Sequence, residues 1–370
     1  MALLLPRFLW RNLVQGRDTA VGASSEQPTF PARWIQDQLR SQMWRSRIGW
    51  NIVAGFNDRL DFVESGAARA ALLAPANLVD RDSFALEVQA AMNAAPGAVN
   101  TYEVVWDEAR ERFRIARASG TAAFVLPWRG GPNAAVSCGR DLGFDVGADD
   151  LGSASYVADE PALKSREWLS FDLGAPAELR CGILLDHNLG AGGTVTLQGS
   201  AVPAWTNPPA SQALPGDDRV RVAYFDAVTY RHWRLLIDDV GNPNGYTAGG
   251  VVYLGAYLEP SRAHRQGFEV DREEHSELTF GDHGAHFLDE KPSRRVWKLD
   301  FNLMPEADRA GFEEMANHVR RGRCFFMALD PRHHPVETHY GYVPGRIHFR
   351  HDPAASLRWL VDFEFAEALG

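Results

Sequence analysis

The distribution of apolar positions divides the chain into stretches with different periods. Over 48–164, short apolar runs at Asn51–Ala54, Arg59–Val63 and Arg69–Ala74 predict strands. Phe84, Val88, Ala91 and Ala95 then recur at helical spacing, so Asp80–Ala95 reads as a helix, with Asp80 and Asp82 near its positive end. Tyr102, Val104 and Trp106 alternate with polar residues, as do Phe113 and Ile115 with Arg112 and Arg114; across the polar turn Glu108–Glu111 this is an antiparallel pair. Ala122–Leu126 adds a strand, and Pro132 opens a short helix that Gly143 ends.

The pattern over 165–262 is nearly all β. Trp168–Leu173, Cys181–His187, Thr194–Gly199, Val220–Asp226, His232–Asp238 and Val251–Glu259 read as strands, with Trp233, Leu235 and Ile237 on one face. Gly, Pro, Asn and Asp punctuate them, which predicts a sandwich or jelly roll. Over 263–370, strands at Arg295–Leu303, Cys324–Leu329 and Arg358–Ala366 flank one helix. That helix begins near Pro305, carries the stripe Phe312, Met315, Ala316 and Val319, and stops before Gly322. The fold class expected is therefore mainly β with α+β modules.

Composition narrows the function classes. At 370 residues, the chain is long enough for two or three domains. With 45% hydrophobic and 23% charged residues it is an ordinary globular composition. A formal charge of -10 suits phosphate-backbone binding poorly, so no nucleic-acid partner is expected. No apolar run reaches the 18 or so residues of a membrane span, so no membrane insertion is expected. Only three of the 38 basic residues are Lys, which reads as a codon bias. Cys138, Cys181 and Cys324 are odd in number and far apart; they suggest neither a disulfide framework nor a metal knuckle, and a reducing compartment of synthesis. The first ten residues have too short an apolar run for a signal peptide and read as a first strand.

Chemistry is sparse. Gly190–Gly193 follows a strand but leads into another, so it reads as a turn and not a phosphate cradle. Ten of 12 His lie in 263–370, among them His283, His286, His333, His334 and His339, on different loops; solvated side chains are expected there, and no metal site. Asp145, Asp149 and Asp150, and Asp238, Asp239, Asn242 and Asn244, form oxygen-rich loops without EF-hand spacing, for which Asx turns are expected. Glu273–Glu274 and Glu313–Glu314 read as solvated faces. No catalytic constellation and no cofactor are expected. Trp205, Asn207, Asn244 and Tyr246 sit in loops of the kind on which lectin-like folds stack sugars, and are the candidate glycan-binding residues.

Some motifs carry a family likeness. Glu167–Gly174, Gly182–Leu189, Thr194–Ser200 and Tyr230–Asp238 resemble a discoidin-type, galactose-binding-like jelly roll. Ala23–Glu26, Phe30–Pro31, Asp37 and Trp44–Ser46 resemble the opening of that jelly roll in phage tail proteins. Residues 1–47 with 165–262 would then form the sandwich, with 48–164 inserted as an α+β module; a separate N-terminal arm is the alternative. Phe56–Phe62, the 102–115 hairpin and Gly139–Phe144 resemble a module recurrent in phage tail and baseplate proteins. Cys324–Pro331, Tyr340–Tyr342 and Trp359–Glu364 resemble the C-terminal domain of such proteins, here 263–370.

The resemblance implies a non-enzymatic virion component of the distal tail or baseplate, assembled in the host cytoplasm. Its implied partners are identical subunits in a ring and neighbouring tail proteins (tube, hub, fibres). The rival expectations are a carbohydrate-binding adhesin touching host glycan and, more remotely, a glycan-degrading enzyme with a hidden carboxylate pair.

Overall fold

The computed structural model describes all residues except 1–4, 17, 38, 121, 122, 265–268, 281, 282, 284, 285, 352–357 and 370. It is mainly β, as expected.

Two long strands, Glu167–His187 and Val220–Asp238, are the spine of the sandwich. Each was expected as two separate strands. They stay continuous and change direction at register shifts, between Asp172 and Ala177 and between Leu179 and Cys181. Such irregularities bend a strand without ending it. The sheet order is 210–213, 194–200, 220–238, 167–187, 248–255 and 44–45, with 20–23 pairing beside 167–173. Trp233, Leu235 and Ile237 do share the core face, against Leu169, Phe171, Leu184, Leu197 and Leu254. Gly199 lets the Trp233 ring lie flat on its strand; a Cβ there would stand 2.7 Å from the ring.

Ile183 and Leu185 point the other way, into a second layer with Val222, Val251, Tyr253, Leu9, Phe326 and Tyr340. Both faces of Cys181–Leu185 are therefore covered, which is why that run is continuously apolar.

In the 48–164 region the helix is Arg81–Asn93, capped by Asp80, whose carboxylate accepts from Ser83 N at 2.7 Å. Phe84, Val88 and Met92 reach a core with Trp50, Phe62 and Phe113. The helix expected from Pro132 to Gly143 is instead two short 3-10 turns, Ala134–Val136 and Gly139–Leu142, ended by left-handed Gly143 (φ 85°).

The C-terminal sheet runs 7–9, 325–328, 338–342, 359–367, 294–304 and 269–273, with 348–351 beside 359–367. Its helix is Glu306–Val319, and Phe312, Met315 and Val319 are buried while Ala316 is half-buried. Arg7–Leu9, expected within the sandwich, pairs here instead: Arg7, Phe8 and Leu9 stand opposite Ala328, Met327 and Phe326. Phe8 wins this placement by filling a ring cluster of Phe301, Phe312 and Phe363 at centroid distances of 5.4–6.0 Å.

Candidate functional site

Three places merit a chemical reading. The first is the pair of sandwich loops that hold the candidate glycan residues. Trp205 and Asn207 lie in the loop after Ser200; Asn244 and Tyr246 lie in the loop after Asp238. Thr194 pairs with Asp238 and Ser200 with His232, so these loops sit at opposite ends of one strand. Six residue steps separate them, roughly 20 Å. The four residues therefore form two separate patches.

At the Trp205 end, the half-buried indole covers the Arg234 guanidinium at 4.8 Å, and Phe56 lies 5.7 Å from the same cation. Arg234 is buried and donates to Gln198 Oε1 at 2.6 and 2.8 Å. Burial, with Arg166 nearby, lowers its pKa to about 10, so it stays charged at neutral pH. At the other end, Asn244 donates to Asn242 Oδ1 at 3.1 Å and the Tyr246 carbonyl accepts from Asn188. Sequence patterning did not single out Arg234; its place opposite Gln198 on the outer face of the spine was the available signal.

The second place is the joint between the 48–164 region and the sandwich. Glu167 is fully buried and accepts from Ser24 Oγ, from Ser25 Oγ at 3.0 Å and from Asn51 Nδ2 at 2.7 Å. Burial pushes its pKa up. Lys164, also fully buried, donates to the Ser165 carbonyl, and burial pushes its pKa down. Beside them Asp141 accepts from Arg166 N at 2.7 Å and from Asn57 at 2.8 Å. Perturbed carboxylates and lysines can mark reactive sites. Here the carboxylate oxygens are already occupied by hydroxyl and amide donors, which is the chemistry of a fastening.

The third place is an arm. Glu277–Phe280 and His286–Asp289 pair only with each other, Leu278 opposite Leu288. The strands are exposed throughout; Phe280 is 69% and Phe287 65% exposed. Leu278, Phe280, His286 and Leu288 share one face, and Glu277, Thr279, Phe287 and Asp289 lie on the other. Neighbouring Glu269–Glu273 forms the edge of the C-terminal sheet and is exposed along its length. The sequence reading did not single out this hairpin, although 277–280 alternates polar and apolar.

The remaining motifs resolve into local structure. Asp149 accepts from Arg129 N and Gly130 N, and Asp145 from Gly147 N. Gly193 N closes a turn on Gly190 O at 3.0 Å. Among the described residues no group of three or more His, Cys, Asp or Glu could hold a metal ion, and no helix is long and apolar enough to cross a membrane.

No family model and no curated protein matches the chain. Solved structures similar to it include a family 32 carbohydrate-binding module from Clostridium perfringens in complex with GalNAc-β-1,3-galactose, at 10% identity and a TM-score of 0.28, covering 66% of this chain and 99% of that one. A second family 32 module, from C. perfringens NanJ and in complex with galactose, is 9% identical with a TM-score of 0.29, covering 68% and 98%. A chitosan-binding module from a Paenibacillus sp. IK-5 chitosanase/glucanase is 18% identical with a TM-score of 0.20, covering 25% and 70%. At such scores the likeness carries no argument about function.

Proposed function

We propose that the chain is a structural subunit that acts by assembly, in a setting of the phage tail-tip or baseplate kind that its motifs resemble. The observation that supports assembly is the arm. A two-stranded ribbon is marginal alone in water, and this one presents Leu278, Phe280 and Leu288 to solvent on one face and Phe287 on the other. Exposed apolar clusters of this kind mark interaction surfaces. The tail setting rests on the sequence motifs alone. The test is the particle mass of the purified full chain by light scattering, with negative-stain imaging. Multimers, and rings among them, are expected; a monomer at every concentration overturns the reading.

A second reading, carbohydrate binding, is favoured by Trp205. Its half-buried indole sits beside exposed Asn207 and over the Arg234 cation, a combination able to stack a sugar and bond its hydroxyls. Binding on a glycan array that Trp205→Ala abolishes would support it; no binding on the array overturns it.

A further inference from the structure

We propose that the arm of one copy docks on a groove at the far side of the C-terminal sheet of a second copy. This rests on the assembly reading and names the two surfaces.

The groove is lined by Trp10, Ala256, Tyr257, Leu258 and Gly311, with the Arg11–Glu314 ion pair at its side. It lies by the 7–9 strand, since Phe8 and Leu258 exchange backbone hydrogen bonds at 2.9 Å. Trp10 also packs on His318 at 5.1 Å, at the end of the C-terminal helix. Directly after that helix come Arg320, Arg321 and Arg323, all exposed. Arg320 and Arg323 reach only backbone carbonyls, of Asn317 and His318, and none of the three forms an ion pair among the described residues.

The arm has the opposite character. From Glu269 to Lys291 the sequence holds eight carboxylates against one Arg and one Lys. That segment thus carries a net charge of -6, out of -10 for the whole chain. Arg294, Lys298 and Lys291 pair with Glu273, Glu269, Asp271, Glu277 and Asp289, while Glu274 and Glu290 form no ion pair among the described residues, so a surplus of negative charge remains. An acidic ribbon with an apolar face, and an apolar groove with three arginines beyond the helix end where His318 packs on Trp10, are complementary.

Topology says which molecules meet. The 7–9 and 269–273 strands are the two ends of one six-strand path. Five strand spacings separate them, roughly 24 Å. The surfaces therefore belong to different edges, and their contact is head-to-tail. Such contacts propagate from copy to copy and close into rings or run on as filaments.

The test uses the full chain. A groove variant, Arg320→Glu with Arg321→Glu and Arg323→Glu, and an arm variant, Phe280→Ser with Leu288→Ser, are sized by light scattering beside the wild type, with circular dichroism to check folding. Each variant alone is expected to be monomeric. Mixed, they retain one intact arm and one intact groove between them, so a 1:1 complex is expected and nothing larger. If the wild type forms multimers and both variants do so equally, the docking inference falls and assembly through another surface stands. If the wild type is monomeric throughout, assembly itself falls. Monomeric variants that fail to form the 1:1 complex also overturn the docking.

Discussion

Asn51 donates its side-chain amide to Glu167 at 2.7 Å across 116 residues of sequence. One bond thus ties the entry of the 48–164 region to the strand that follows its exit. The same entry is tied again where Asn51 N donates to Ser165 Oγ at 2.9 Å. The two ends of that region are adjacent in space.

Glu167→Ala strands the buried Asn51 donor and takes this acceptor from half-buried Ser24 and Ser25, and is expected to cost about 1–3 kcal/mol for the buried donor left unsatisfied. Glu167→Gln, which keeps an acceptor oxygen, should lose less. Limited proteolysis near 47–51 and 164–167 is the check: cleavage should quicken most in the Ala variant. Equal cleavage rates in both variants and wild type would show that the joint does not depend on this carboxylate.

Phe8→Ala removes the ring that Phe301, Phe312 and Phe363 enclose. A buried Phe-to-Ala change costs about 3–5 kcal/mol, and here the loss should appear as a lower melting temperature of the C-terminal sheet. Calorimetry that finds that melting transition unmoved would contradict the packing described.

Glu367 gives a pH dependence. Burial pushes its pKa up, but the paired Arg295 and Arg219 overcome this and hold it at about 2. A carboxyl depressed below its unfolded value stabilises the fold above the ordinary carboxylate range, and that stability is lost as pH falls toward 2. Urea midpoints measured from pH 5 down to pH 2 should therefore fall, and fall less steeply in Glu367→Gln. Identical slopes would exclude the effect.

Trp205→Ala separates the two functional readings. The indole is half-buried and its cation contact is worth about 0.5–2 kcal/mol, so folding and assembly should persist. Sugar binding, if the loop supports it, should vanish. Loss of assembly in this variant would move the docking surface to the sandwich loops.

The large periods were legible in the sequence. Phe84 and Val88 betrayed one helix, Phe312, Met315 and Val319 the other, and Trp233, Leu235 and Ile237 the core face. What escaped were features decided by distant partners. Nothing local tells Arg7–Leu9 to leave the sandwich for a pocket whose rings lie some three hundred residues on. Lys164 looked like one of three scattered lysines, and only the packed joint shows it without solvent. The strands of the arm are short and lie among Gly, His and acids, where alternation spans only four residues each. The 132–143 stretch has a helix-opening Pro and a closing Gly, yet Trp128 presses against Gly139 and Cys138 N bonds back to Arg59 O at 2.8 Å, so the backbone turns twice instead of winding once.

Because Arg7–Leu9 pairs with Phe326–Ala328, more than three hundred residues further along, that margin of the sheet stays unzipped until both segments have been made. Until then the apolar Phe8 and Leu9 lack their strand partner. Disrupting either segment would therefore open the same sheet, so lesions at 7–9 and at 325–328 should share one consequence.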